Sequence, residues 1–170
     1  AATAAKAGHQ VTLCEQAGQL GGILRCEQAV PFKADLVDFA RVKALELEKY
    51  GAQVRLNTPV TPQLVEAEQP DVLIVAVGSE PILPPIPGIE GDNVVLANRV
   101  SEPDFTTGDT VVVLGGGLVG CEMGVHLAHQ GKTVTVVEQR DKVAVDANVN
   151  LRMCLLEEMD KCGVKTITGL

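Results

Sequence analysis

Four consecutive apolar residues feeding a glycine-rich turn, a second strand that ends on an acid about 20 residues further on, and a composition rich in Val, Leu, Ala and Gly together predict an α/β chain of doubly wound parallel sheets. Apolar residues make up 46% of the chain and aromatic residues only 2%, the balance expected of buried parallel strands covered by helices. A chain of 170 residues can bury about 70% of its unfolded surface, enough for one large domain or two small ones.

Taken from the N terminus, Ala1 to Gly8 is alanine-rich and ends on glycine, as a last helical turn does. Val11-Thr12-Leu13-Cys14 alternates as a strand and stops at Glu15. Ala7 to Gln16 aligns without gaps on Gln130 to Gln139, so a helix end, a strand and a terminal acid occur twice, an internal repeat of one nucleotide-binding half. The first copy's own opening strand and glycine turn are expected upstream of Ala1. Gly18-Gln19-Leu20-Gly21-Gly22 reads either as a plain loop or as a turn whose glycines let the backbone close on a ligand. Between Lys33 and Tyr50, Leu36, Val37, Ala40, Ala44 and Leu47 recur at helical spacing, and Gly51 closes the helix. Val54 to Leu56 is a short strand, and Asp71 to Val77 a buried one that runs into Gly78-Ser79.

Pro81, Pro84, Pro85 and Pro87, with Gly88 and Gly91, exclude helix and central strand from Glu80 to Gly91. This stiff connection separates two expected units, 1–88 and 89–170. In the second, Val94 to Ala97 and Asn98 to Val100 are short strand-like pieces, and Thr110 to Leu114 and Thr133 to Val137 are strands. Asp146 to Lys161 is an amphipathic helix with Leu151, Leu155, Leu156 and Met159 on one side; Gly163 ends it before a third strand, Val164 to Thr168. Both units read as Rossmann-like but incomplete, the first lacking its opening strand and glycine fingerprint, the second its C-terminal strands.

The glycine turn, Gly115-Gly116-Gly117-Leu118-Val119-Gly120, carries the chemistry. Gly115 permits the turn, Gly117 has no side chain to keep the backbone from a phosphate, and Gly120 lets helix and strand pack closely. The first N–H groups of the helix, from Gly116 through Leu118 and Val119, together with a dipole of roughly half a positive charge, suit a dinucleotide pyrophosphate. Glu138, at the end of the next strand, stands where an acid binds the adenosine ribose. A 2′-phosphate about 5 Å from that carboxylate would be repelled by roughly 3 kcal/mol per charge at an effective dielectric near 20. NAD(H) is therefore favoured over NADP(H), although Arg140 is placed to pair with a 2′-phosphate.

These residues resemble the two-dinucleotide flavoproteins of pyridine nucleotide-disulfide oxidoreductase fold. Within that superfamily the likeness is to the C-terminal region of the old yellow enzyme-like NADH:flavin oxidoreductases, the 2,4-dienoyl-CoA reductase, 2-enoate reductase and trimethylamine dehydrogenase group. It is carried by VTLCEQAGQLGG (Val11 to Gly22), Ala29-Val30-Pro31-Phe32-Lys33, VLIVAVGSEPILPPIPGI (Val72 to Ile89), GGGLVGCEMG and VTVVEQ. The resemblance implies that Glu15 binds the adenosine ribose of FAD or ADP, that Gly21 and Gly22 border the flavin nucleotide, and that Val77, Gly78 and Ser79 form the crossing between flavin and nicotinamide domains. Val77 replaces the usual threonine there. It further implies a longer parent enzyme in which NAD(P)H passes a hydride to FAD, with FMN and an iron–sulfur cluster in domains outside this chain.

No acid, base or nucleophile of the chain is singled out as catalytic, and Glu122 reads as a favourable charge early in a helix. Five scattered cysteines without a C-x-x-C disfavour a thiol-disulfide reductase and metal ligation, and His126 and His129 read as one partly exposed helix face. A net charge of −8 without a basic stripe argues against nucleic acid. Neither a transmembrane run nor a signal peptide is recognisable, which favours a cytoplasmic protein with no membrane partner. A non-catalytic ADP-binding scaffold or dimerisation module is the alternative function. Unpaired sheet edges make a homo-oligomer a reasonable expectation.

Overall fold

The computed structural model describes residues 1–170, which form two compact units, Ala1–Leu83 and Pro84–Leu170. The division falls inside the proline-rich stretch, between Leu83 and Pro84. The α/β class and the parallel strand pairing are as the sequence predicts.

The first unit begins with helix α1 (Ala2–Lys6) and strand β1 (Thr12–Cys14), followed by a 3-10 stretch over Gly22–Ala29. Helix α2 (Ala34–Lys49), strand β2 (Gln53–Arg55) and helix α3 (Pro62–Glu68) complete it. β1 and β2 pair in parallel, with Leu13 opposite Val54. α2 carries Asp35 in its first turn and Lys49 in its last, each complementing the helix dipole. It ends in a Schellman motif: Gly51, at φ +71°, donates to Glu48 O and Ala52 donates to Leu47 O. The same glycine-dependent ending recurs at Gly8, Gly131 and Gly163, so each helix-to-strand junction turns in the same way. α3 was not expected from apolar spacing. It is set by Thr61, whose hydroxyl accepts from Leu64 N–H at 3.2 Å, and by Pro62 in the first helical position.

Two of the expected strands do not form. Asp71 to Val77 is not a buried strand: it pairs with no other strand, and Ile74 and Val77 are 73% and 84% exposed. The apolar run has the composition of a central strand, but a strand needs hydrogen-bonded neighbours, and the two-stranded β1–β2 sheet does not extend to it. Likewise Val94 to Val100 contains no strand. Val94 N–H closes a turn on Gly91 O, and Ala97–Arg99 is a short 3-10 turn beside the Arg99 ion pairs with Glu102 and Asp104.

The second unit is a parallel sheet in the order β3 (Thr110–Leu114), β4 (Thr133–Glu138), β5 (Lys165–Thr168). Helices α4 (Leu118–His129) and α5 (Val149–Lys161) connect the strands; α4 packs on β3 and β4, and α5 packs on α4. The core is Cys121, Val125, Val136, Val143, Ala144, Leu155 and Met159, with Val136 fully buried at the centre of β4. Val112 and Leu114 of β3 stay largely exposed, because the helices do not cover that side of the strand. α5 starts at Val149 rather than Asp146, capped by the Asn148 side chain, and its Leu151 faces solvent while Leu155 and Met159 are buried. No helix is long and apolar enough to cross a membrane.

β3 and α4 meet at Gly120. A Cβ there would collide with the carbonyl oxygen of Gly115, and backbone has no rotamer through which to yield. Gly120→Ala is therefore expected to lower the unfolding free energy by about 1–3 kcal/mol, the range typical of forced overpacking. Urea denaturation followed by circular dichroism measures this; a midpoint equal to that of the parent chain would mean that the close strand–helix approach is not needed.

Candidate functional site

The C-terminal end of β3, the turn after it and the first turn of α4 form one continuous structure. Gly115 adopts φ +101° and donates to Val137 O at 2.9 Å, the last rung between β3 and β4. Gly116 N–H donates to Glu138 Oε2 at 2.7 Å, and its carbonyl accepts from Ala144 N–H at 2.6 Å. Gly117 is the N-cap of α4 and accepts from Cys121 N–H at 3.0 Å, so the helix begins without a capping side chain of its own. Leu118 N–H donates to Asp146 Oδ1 at 2.9 Å, and the side chain of Val119 is exposed.

The glycines of the turn differ in what surrounds them. A Cβ on Gly116 would lie 2.8 Å from both Glu138 Cβ and Val143 Cγ1, so this position is closed by packing. The three atoms nearest to a Cβ on Gly117 would all belong to the Asp146 carboxyl group, Oδ2 at 3.2 Å the first of them. Beside Gly117, then, the turn is covered by a movable carboxylate, and the helix presents N–H groups that lack intrahelical partners.

Glu138 lies within hydrogen-bonding reach of that turn. It is 9% exposed, its Oε1 accepts from Arg140 N–H at 2.9 Å and its Oε2 from Gly116 N–H. These bonds, that from Arg140 first and that from Gly116 second, hold its carboxyl below the usual carboxylate range, so the group is ionised and oriented at neutral pH. Each oxygen keeps a further lone pair for a hydroxyl donor. By contrast, burial pushes the Cys121 thiol up to about 11, and its sulfur donates to Gly116 O at 3.4 Å, so it is an inert packing group.

The structure thus brings Gly115, Gly116, Gly117, Leu118, Val119, Gly120 and Glu138 together at one sheet end. The candidate residues of the first unit are not gathered in this way. Glu15 follows β1 as Glu138 ends β4, and its Oε1 accepts from Ala17 N–H at 2.8 Å, the same two-residue reach that Glu138 makes to Arg140. Gly21 (φ +120°) and Gly22 (φ +50°) lead into the 3-10 stretch, with a Cβ on Gly21 falling 3.1 Å from Arg25 Cγ. Val77 and Gly78 lie on the open segment after Asp71, where the expected buried strand does not form. His126 also departs from expectation: it is 4% exposed, burial and the nearby His129 lower its pKa, and its Nε2 lies 2.9 Å from Gln130 Nε2. His129 is exposed and pairs with Glu158 at 3.0 Å. Asp146, Val143 and Ala144 were missed by the sequence reading; nothing local marks them, since their contacts are to a turn almost thirty residues earlier in the chain.

Comparison with known proteins adds a family context. A family model described as pyridine nucleotide-disulphide oxidoreductase matches residues 1–170. An NADH oxidase of Thermoanaerobacter brockii is 40% identical over 176 residues, which is 99% of this chain and 27% of that protein. A bilirubin reductase of Mediterraneibacter gnavus is 34% identical over 162 residues, 95% of this chain and 25% of the relative. Among solved structures, a 2-naphthoyl-CoA reductase in complex with 2-naphthoyl-CoA is 32% identical with a TM-score of 0.90, over 99% of this chain and 26% of that one. The chain therefore spans about a quarter of the length of the relatives it matches.

Since the folded carboxyl of Glu138 titrates below its unfolded value of about 4.3, its stabilisation is complete above that value and is lost as pH falls through the folded pKa. Glu138→Gln is expected to cost about 1.5–3 kcal/mol at pH 7, the range for hydrogen bonds to a charged group, and the parent's advantage is expected to shrink in acid. Unfolding free energies of both proteins from pH 7 to 3 measure it; a gap that stays constant across that range would contradict the assignment.

Proposed function

The chain belongs to the pyridine nucleotide-disulphide oxidoreductase family, and from that premise we propose that its second unit is the NAD(H)-docking part of a flavin-dependent oxidoreductase. The observation that carries this reading is the junction of β3 and α4, where a glycine without a Cβ, a helix N terminus and an ionised strand-end acid lie at one sheet end. The residues fit the cofactor. N–H groups of Leu118 and Val119, in the first turn of α4, would receive the phosphates, that of Leu118 on leaving Asp146; Gly117 would leave room for their approach, and Glu138 would offer lone pairs to the adenosine ribose.

The nicotinamide, when bound, supplies a hydride to the flavin. The protein's part is to hold and orient. Glu138 is fixed by two backbone N–H groups and cannot turn away at little cost, so a 2′-phosphate would approach a stationary negative charge. NADH is accordingly the preferred cofactor, even though Arg140 follows close by with an exposed side chain.

In the first unit, Glu15, Gly21, Gly22, Val77 and Gly78 are assigned to FAD on the family pattern, with Glu15 supported by the hydrogen bond to Ala17 that repeats the Glu138 geometry. The reductases among the relatives favour a parent enzyme that reduces an unsaturated substrate of the enoate or dienoyl-CoA kind. FMN and an iron–sulfur cluster in other domains of that parent belong to the same reading.

Gly117→Val places two methyl groups against Asp146 and over the start of α4, and is expected to abolish NADH binding while leaving the circular dichroism spectrum unchanged. Titration calorimetry with NADH and with ADP measures this. Unchanged NADH affinity in the folded variant would rule the site out, and ADP binding as tight as NADH with no flavin reduction on mixing would favour a nucleotide-holding module over an enzyme.

A further inference from the structure

Asp146 belongs neither to the glycine fingerprint nor to the strand-end acid, yet its carboxylate stands where a phosphate would have to go. Oδ1 accepts from Leu118 N–H at 2.9 Å, and Oδ2 lies 3.2 Å from where a Cβ on Gly117 would be. One side chain therefore covers both the first N–H of α4 and the face that glycine leaves open. What brings it there is a fastened loop, by contacts that do not involve the carboxylate. Val143 is buried against Gly116, Ala144 donates to Gly116 O at 2.6 Å, and Arg152 Nε donates to Val143 O at 3.1 Å. Ala144 is fully buried and held at φ +52°, a conformation that a residue with a Cβ adopts when its surroundings impose it. The Asp146 side chain is itself exposed, so it can swing into solvent while the loop stays in place.

We infer that Asp146 is a resident competitor for the phosphate position of the nucleotide site, expelled from Leu118 N–H when a pyrophosphate takes its place, and so sets affinity according to the ligand's phosphates. The inference rests on the reading of this turn as a nucleotide site. Two like charges cannot share the same N–H groups at low cost, so the carboxylate opposes a diphosphate both by occupying a donor and by its field. Adenosine alone, which would use Glu138 and no helix N–H, is indifferent to it. Asp146→Asn keeps an acceptor of the same shape but makes the bond to Leu118 a neutral one, about half as strong.

The test is calorimetric titration of the 170-residue chain, its Asp146→Asn variant and its Asp146→Ala variant with NADH, ADP and adenosine. The dissociation constants for NADH and ADP are expected to fall by about tenfold in both variants while that for adenosine stays within about twofold. NADH affinity that is unchanged or weaker in the variants, with binding by the parent chain intact, would overturn this inference alone. Binding of no adenine nucleotide by any of the three would overturn the nucleotide-site reading and the inference with it. Should the variants fail to fold, amide spectra of the parent chain decide: the Leu118 and Asp146 resonances are expected to shift together as ADP is added, and a Leu118 amide unmoved at saturation would refute the competition.

Discussion

The buried hydrogen bond from Gly116 N–H to Glu138 Oε2 is the constraint from which the second unit takes its form. Parallel pairing sets Leu114 opposite Val137, so the next residue of β4 falls level with the glycine turn that follows β3. A carboxylate at that position reaches the Gly116 N–H, which a turn opened by φ +101° at Gly115 leaves without a strand partner. Its other oxygen takes the Arg140 N–H and starts the return loop, which fastens back onto Gly116 O through Ala144. Strand end, turn, helix start and loop are thus closed into a ring around one charge. Removing that side chain would leave two N–H groups without their acceptor, the kind of loss that costs more than the bond contributes.

The first unit repeats the motif in a reduced form. Glu15 follows β1 and holds the Ala17 N–H as Glu138 holds that of Arg140. The remainder differs because the sheets differ: three parallel strands with two helices bury a contiguous core, whereas two strands of three residues each cannot. The exposed apolar side chains from Val72 to Val77 follow from the same deficit, since a segment of strand composition has no edge to join.

Much of the second unit was legible in the sequence because its determinants are local. An apolar run, a glycine turn, helical spacing and an acid at the right distance occur within thirty residues, and each acts on its immediate neighbours. Asp71 to Val77 was misread for the converse reason, as apolar composition records what a segment could bury and says nothing of whether a partner strand exists. The Thr61-Pro62 start of α3 was written in the sequence but carries no apolar period to draw notice. Asp146 and the second bond of Glu138 depend on pairings that tertiary structure alone creates, across 28 and 22 residues. The turn and its strand-end acid could thus be placed from sequence, while the carboxylate that covers the turn could not.

A crystal structure of this chain grown with NADH would show whether Glu138 and the α4 N terminus hold the nucleotide together. The pyrophosphate is expected on the N–H groups of Leu118 and Val119, with the adenosine ribose hydroxyls on Glu138 and the bond from Gly116 to Glu138 retained. A nucleotide seated elsewhere, or one that reaches the α4 N terminus with Glu138 turned away from it, would mean that this turn is not the nucleotide site.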